Sequence, residues 1–279
     1  MHRLILEDKD KYIIIREVIR KKNPQLLRWM PRFLLRYIER VVHEEDINQV
    51  MANIGHLHGL DFVDGLIGEL GVIVELRGEE NIPGSGGVIF ASNHPLGGLD
   101  GIAFMHALGK YRRDIKFIVN DILLNIKNLE PLFVGVNKHG TQGRRGMEQI
   151  EEAYAQDHAL LVFPAGLVSR KRHGKIEDLE WKKSFISKAK KYGKDIVPVY
   201  IDGRNSRFFY NFARFREFIG IKPNIEMFYL PDEMFAQRNK KVTICIGKPI
   251  SYTYFDASKS EKEWAGHMKQ LVYNLAPEN

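Results

Sequence analysis

Cysteine and long apolar runs are scarce in this sequence. A single cysteine among 279 residues excludes an intramolecular disulfide. Cys245 lies in the apolar run 242–246, where a thiol more often fills a core than attacks a substrate. No segment approaches the roughly 20 apolar residues of a transmembrane helix, and charges interrupt the N-terminus well short of a signal peptide's hydrophobic region. These absences are compatible with a reducing cytoplasm, and they require any membrane contact to be peripheral.

Positive charge is in excess. Lys and Arg number 42 against 35 Asp and Glu, which gives a formal net charge of +7 and a pI of about 9.3. This balance favours a negatively charged partner such as phospholipid, an acidic carrier protein, a phosphorylated cofactor or nucleic acid. Basic residues concentrate in 170–194 and, mixed with aromatic residues, in 204–222. Neither stretch contains a ribonucleoprotein motif or a zinc-finger pattern, so we expect no nucleic-acid partner.

His56 and His58 form a candidate pair of metal ligands. The segment from His56 through His58 to Asp61 is superficially similar to the histidine-rich run of metallohydrolases. Two histidines at positions i and i+2 of a helix would point to different faces, and the last histidine of that run is missing. We interpret both as polar residues at a helix end and predict no metal site.

The pattern of apolar residues changes near residue 70. Up to about Val63 they recur at three- and four-residue spacing, which predicts an N-terminal helical segment over residues 1–70. From Gly71 to the end, short β-branched runs alternate with helical stretches, which predicts an α/β domain with a largely parallel sheet flanked by helices. Strands are predicted at 72–76, 88–91, 115–119, 132–136, 159–163, 196–200 and 242–246, and helices at 101–110, 144–155 and 181–192.

The segment 90–101 is the strongest candidate for chemistry. A buried strand ends at Ser92, a turn with His94 and two glycines follows, and a helix begins near Asp100. Sites in parallel sheets gather at the carboxyl ends of strands. There, a histidine can accept a proton while a carboxylate on its other ring nitrogen fixes the tautomer. Residue types alone leave an alternative open, in which Asn93 or Asp100 caps the helix and His94 is a turn residue.

This segment resembles the first motif of the glycerolipid acyltransferase (PlsC-like) superfamily, whose signature is His, four residues, Asp. Here five residues separate His94 from Asp100. The longer spacing is similar to that of a bacterial subgroup that includes hemolysin-like proteins and the acyltransferases of ornithine and glycine lipids.

Further blocks resemble the family in its own order. Residues 132–138 occupy the place of the second motif but lack its final arginine, which argues against a glycerol-3-phosphate acceptor. Residues 162–170 resemble the third motif, with Ala165 in place of its glutamate, and 196–200 and 246–250 match the fourth motif and the closing segment.

The resemblance implies an O-acyltransferase. His94 would remove a proton from the hydroxyl of a lyso-aminoacyl lipid, which attacks an acyl carrier protein (ACP) or coenzyme A (CoA) thioester directly, while Asp100 orients His94. No bound cofactor is implied. Arg170 is favoured as a phosphate ligand because its position matches the third motif, whereas Lys171 and Arg172 could equally be solvated. The implied substrate-binding residues are Asn93, Gly97, Gly98, Asn137, Lys138, Phe163, Pro164, Gly166, Ser169 and Arg170.

The aromatic and basic segment 204–219 suits an interfacial helix. Lipid contact is predicted for Arg207, Phe208, Phe209, Phe212 and Phe215, which implies a peripheral protein on the inner face of the cytoplasmic membrane with anionic lipid as a partner. Alternatively, these aromatic residues face the core. Segment 27–36 has the same ambiguity. A second functional hypothesis is an inactive lipid- or carrier-binding protein on the same scaffold, because the second motif and Ala165 depart from the family.

Overall fold

In the computed structural model, residues 11–120, 123–136, 140–172 and 174–277 are described. Within these ranges, five α-helices precede the first strand. Pro24 is the first residue of α2, where its fixed φ favours a helix and its missing N–H costs nothing, and Pro31 directly precedes α3. The five are α1 (Ile15–Lys22), α2 (Pro24–Trp29), α3 (Arg32–Val41), α4 (Glu44–Ile54) and α5 (Gly59–Leu70).

Strands and helices alternate through the rest of the described chain. The strands are β1 (Ile73–Arg77), β2 (Val88–Ser92), β3 (Ile115–Asn120), β4 (Phe133–Val136), β5 (Ala159–Val162), β6 (Arg170–Arg172), β7 (Lys175–Glu177), β8 (Asp195–Asp202) and β9 (Lys241–Ile246). The helices are α6 (Gly98–Gly109), α7 (Gly140–Ala155), α8 (Ser184–Tyr192), α9 (Arg207–Phe218), α10 (Leu230–Phe235) and α11 (Glu261–Tyr273).

The main sheet has the order β1-β9-β8-β2-β5-β3-β4 among the described residues. All neighbours in it are parallel except β8 and β9, which are antiparallel. The predicted largely parallel sheet is therefore confirmed. The short β6–β7 hairpin and the reversed direction of β9 were not predicted, because three-residue charged strands lack an apolar alternation and strand direction leaves no mark on local sequence.

Alternate side chains of the central strands pack into two hydrophobic cores, one on each face of the sheet. Phe90 and Leu161 pack with residues of α4, α5 and α6, whereas Ile89 and Leu160 pack with α7, α8 and α11. Side chains of a strand alternate between faces, and a parallel sheet covered on both faces is apolar throughout its central strands. Cys245 is buried in β9, in the core position predicted for it.

The N-terminal helices meet the sheet near the predicted boundary. Helix α5 ends at Leu70 and is followed by Gly71 at φ 62°, a conformation that favours glycine after a helix. Residues of α4 and α5, including Ile54 and Val63, share one core with the sheet. The division into segments 1–70 and 71–279 stays a prediction. His56 and His58 lie between these two helices, and no group of three His, Cys, Asp or Glu among the described residues could hold a metal.

Helix α9 carries aromatic residues on two faces. Phe208 and Phe215 are 51% and 57% exposed, Phe212 is half-buried and Arg207 is exposed, as a lipid-contacting face requires. Phe209 is 0% exposed and packs with Val168 and Tyr210. The prediction of membrane contact is therefore wrong for Phe209, which belongs to the core face of an amphipathic helix.

Candidate active site

The carboxyl ends of β2, β5 and β8 meet at one edge of the sheet. Strand β2 is parallel to both neighbours, with Ser92 opposite Val199 of β8. Asn93 extends this register beyond the strands, because its Nδ2 donates to Ile201 O at 2.9 Å and its Oδ1 accepts from Ile201 N at 2.7 Å. The side-chain amide of Asn93 therefore joins the end of β2 to β8. These contacts do not support the predicted role of Asn93 in substrate binding.

His94 and Asp100 are in direct contact in the turn that follows. His94 Nδ1 lies 2.9 Å from Asp100 Oδ2. The same oxygen accepts hydrogen bonds from Leu96 N at 2.8 Å and Gly97 N at 3.0 Å. Gly97 adopts φ 80°, which an L side chain rarely tolerates. Asp100 therefore caps α6, as the alternative interpretation predicts, and also contacts the ring of His94, as a catalytic pair requires.

The carboxyl group of Asp100 is completely buried. Burial raises its pKa, while hydrogen bonds from His94, Leu96 and Gly97 oppose that rise. Its second oxygen, Oδ1, has no hydrogen-bond partner among the described residues. A buried carboxylate is stabilised by a neighbouring positive charge. The position of Asp100 therefore favours the protonated form of His94 that arises when His94 takes a proton during a reaction.

The imidazole of His94 is held so that one edge stays open. Its ring stacks on Phe163, with centroids 4.2 Å apart and planes at 13°, and Phe163 meets Phe117 edge-on at 5.3 Å. The side chain is 17% exposed. Within the described residues Nε2 makes no hydrogen bond, so this nitrogen is available to a substrate hydroxyl.

Sequence reasoning missed Asp178, which fixes the main chain of His94. Its buried carboxylate accepts from His94 N at 3.1 Å, Ser169 Oγ at 2.6 Å and Trp181 Nε1 at 2.9 Å. Ser169 N also donates to His94 O at 2.8 Å. Ser169, predicted to bind substrate, is therefore used to hold His94. No local pattern marks Asp178, because its contact with His94 spans 84 residues.

The remaining residues of the third block form a turn after β5. Pro164 is buried and its carbonyl accepts from Lys182 N at 3.0 Å. Gly166 is exposed at φ 66°, and the ammonium of Lys182 lies so close that a Cβ on Gly166 would be 2.9 Å from Nζ. Gly98 is exposed at the start of α6. Asn137 and Lys138 lie outside the described residues.

Arg170 does not face the site. It is 4% exposed, donates to Glu226 Oε1 at 2.7 Å and Val168 O at 2.8 Å, and lies over the ring of Phe209 at 5.5 Å. Arg216 completes the buried cluster, with Nε 2.8 Å from Glu226 Oε2. The prediction that Arg170 binds phosphate is therefore wrong for this arrangement, because a carboxylate 56 residues away already neutralises it.

A family model described as Acyltransferase matches residues 17–278. The chain belongs to this acyltransferase family. It is 41% identical over 270 residues to a protein of Phocaeicola vulgatus named lyso-glycine lipid O-acyltransferase, covering 96% of this chain and 97% of the relative. A Bacteroides thetaiotaomicron protein of the same name is 42% identical over 273 residues and covers 98% of each chain.

Among solved structures, the 1-acyl-sn-glycerophosphate (LPA) acyltransferase PlsC of Thermotoga maritima is similar. The TM-score is 0.51 at 19% identity, covering 88% of this chain and 90% of the other. Similarity at this level of identity concerns the fold. The acyltransferase family and the α/β fold predicted from the sequence are both confirmed.

The first prediction concerns the base. His94→Ala is expected to lower acyl transfer by roughly 100- to 10,000-fold, the usual contribution of a positioned base. His106→Ala is a matched control, because His106 also contacts an aspartate, Asp64, at 2.7 Å but lies on α6 away from the strand ends. Initial rates of purified variants with equal circular dichroism would measure the effect. Wild-type turnover in His94→Ala would exclude the mechanism.

The second prediction concerns Asp178. Asp178→Ala leaves three donors without their partner, and one such buried group costs about 1–3 kcal/mol. We expect the free energy of unfolding in urea to fall by at least that amount and acyl transfer to fall with it. Glu180→Ala, at a side chain that is 71% exposed and pairs with the similarly exposed Lys262, should change the free energy of unfolding by less than about 0.5 kcal/mol. Superimposable unfolding curves for Asp178→Ala and wild type would contradict the assigned role.

Proposed function

We propose that the protein transfers an acyl chain from a thioester to the hydroxyl of a lyso-aminoacyl lipid, and specifically of lyso-glycine lipid. The contact of 2.9 Å between His94 and buried Asp100, with Nε2 of His94 open, carries the chemical part of this proposal. The acceptor rests on two relatives named lyso-glycine lipid O-acyltransferase, each matched over nearly its whole length.

The proposed reaction needs one base and no covalent acyl-enzyme. Nε2 of His94 takes the proton of the acceptor hydroxyl as its oxygen attacks the thioester carbonyl. Asp100 stabilises the resulting imidazolium, and the departing thiolate then recovers a proton from it. Backbone N–H groups in the first turn of α6, which begins at exposed Gly98, suit the developing oxyanion because a helix N-terminus leaves them unpaired.

The acyl donor is proposed to be an ACP or CoA thioester, both of which carry phosphate. Because Arg170 is already paired with Glu226, the proposal needs another cation to bind that phosphate. Lys182 is exposed beside Gly166, in the turn that follows Phe163, and forms no ion pair within the described residues. Its ammonium therefore replaces Arg170 as the proposed phosphate ligand.

A continuous aromatic and basic surface supports a peripheral membrane location. On α2 and α3, Trp29 and Phe33 are 83% and 75% exposed. Tyr37 of α3 donates to or accepts from Tyr229 through their hydroxyls at 2.7 Å, and Tyr229 meets the ring of Phe208 of α9 at 5.0 Å. These contacts join the exposed rings of α2 and α3 to those of α9.

Arginines border this surface. An open depression on α3 is lined by Arg32, Phe33, Leu34, Arg36, Tyr37 and Arg40. Rings buried among acyl chains and cations at lipid phosphates are the usual combination of interfacial helices. None of the described helices is both long enough and apolar enough to span a bilayer. We propose that the surface binds anionic lipid on the inner face of the cytoplasmic membrane.

The third prediction tests the acceptor. Purified wild type, supplied with labelled acyl-ACP or acyl-CoA, should esterify lyso-glycine lipid, and His94→Ala should not. Lyso-ornithine lipid and lysophosphatidic acid, offered in parallel, measure the selectivity for the head group, and chromatography of the labelled lipid measures the product. Tight lipid binding without transfer in both proteins would instead identify an inactive binding protein.

The fourth prediction tests the membrane surface. The double variant Phe215→Ser and Phe218→Ser removes two rings that are 57% and 87% exposed, so folding should be unaffected. Each buried ring contributes about 1.5–3 kcal/mol, so the affinity for vesicles of phosphatidylglycerol should fall by roughly 10-fold or more. Co-sedimentation measures it. The control is Tyr111→Ser. This ring is 46% exposed and lies between α6 and β3, at the amino end of a parallel strand, whereas α9 follows the carboxyl end of β8. Equal loss in both proteins would contradict the assigned surface.

A further inference from the structure

The loop after β8 contains a buried amide that has no partner among the described residues. Asn205 is 5% exposed, and neither its Nδ2 nor its Oδ1 forms a hydrogen bond with any described residue. More than about 90% of buried polar groups in proteins are paired, since an unpaired one is costly. Within the described chain, Asn205 therefore has an unpaired donor and an unpaired acceptor, which a molecule with the complementary groups would satisfy.

The loop that contains Asn205 packs on the turn that holds the His94–Asp100 pair. Its backbone N donates to the hydroxyl of Tyr210 at 3.0 Å. Burial raises the pKa of that hydroxyl to about 12, and the charge of nearby Asp100 contributes to the rise. Two residues earlier, Gly203 packs so closely on Leu96 of the turn that a Cβ would come within 2.7 Å of it.

The loop around Asn205 is fixed by its neighbour. Ser206 caps α9, because its Oγ accepts from Phe209 N at 3.1 Å, and its own N donates to buried Glu233 at 2.7 Å. These bonds fix the backbone on both sides of the Asn205 side chain. A side chain on a fixed backbone loses less conformational freedom on binding, which is a property of preorganised sites.

The chemistry of the proposed acceptor matches this amide. In a lyso-aminoacyl lipid, an amide bond joins the 3-hydroxyacyl chain to the amino acid, and its N–H and C=O complement the C=O and NH₂ of an asparagine. The reacting hydroxyl is on the third carbon of the chain whose first carbon forms the amide. An interaction that fixes the amide therefore also places the hydroxyl. An ester-linked lysophospholipid lacks the N–H group.

We propose that Asn205 binds the amide group of the acceptor lipid and gives the enzyme its preference for amide-linked over ester-linked acceptors. The proposal rests on the proposed function, because that function supplies an amide-containing acceptor.

The test compares two acceptors in three proteins. N-(3-hydroxyhexadecanoyl)glycine is compared with its ester analogue, in which oxygen replaces the amide N–H. Wild type should favour the amide by roughly 10- to 100-fold in kcat/KM, as expected when a binding site loses one buried hydrogen bond. Asn205→Ala and Asn205→Leu should lower that preference to near unity. Asn274→Ala, an exposed asparagine after α11, should keep it.

Stability distinguishes a binding role from a structural one. Because the amide of Asn205 has no partner among the described residues, at least one of the two substitutions should unfold at the wild-type temperature or above it. If both substitutions lower the unfolding temperature and reduce transfer to both acceptors equally, the amide supports the fold, for example through a buried water, and the proposal is overturned. An unchanged preference in a stable variant overturns it as well.

A failure of the proposed function would be recognised separately. In that case wild type acylates neither acceptor. Calorimetric binding of N-hexadecanoylglycine, which has the amide but no hydroxyl, then decides the matter. Binding that is at least roughly 10-fold weaker in Asn205→Leu supports the amide contact, because one buried hydrogen bond is removed. Equal binding in wild type and variant refutes it.

Discussion

One oxygen atom organises the candidate site. Asp100 Oδ2 accepts from the His94 ring and from the backbone N–H groups of Leu96 and Gly97. A completely buried carboxylate is costly unless several donors surround it, so the turn has to fold around this atom. The five-residue spacing between His94 and Asp100 works because Gly97, at φ 80°, lets the chain reverse and bring two N–H groups to the carboxylate. The end of β2, the turn and the start of α6 thereby become one rigid unit.

A second buried carboxylate, that of Asp178, also holds His94 in place. Asp100 fixes the ring of His94, whereas Asp178 and Ser169 fix its backbone N–H and C=O. Phe163 covers one face of the ring. A base held in this way has few orientations to lose when a substrate binds, which is how a positioned group contributes to rate.

The sequence predicted what local patterns encode. The central strands were predictable because buried parallel strands are continuous apolar runs, and His94 and Asp100 because they fall within one short motif. Asn205 was missed because only the folded chain shows that its amide is buried with no partner among the described residues. Asp178 was missed because its contact with His94 spans 84 residues. Arg170 was misassigned for the same reason, because its partner Glu226 lies 56 residues away. Periodicity identified α9 as amphipathic but could not decide which of its aromatic faces is buried.

Helix α9 connects the two halves of the proposed activity. Its core face places Phe209 under Arg170, which directly follows the Ser169 that holds His94, and Asn205 immediately precedes its cap. Its outer face presents Phe208 and Phe215. Helix α9 therefore contacts the segment that holds His94 with one face and presents exposed rings on the other. In the proposed membrane location, lipid docking and catalysis would both depend on α9, because the same helix carries the exposed rings and packs against the residues beside His94.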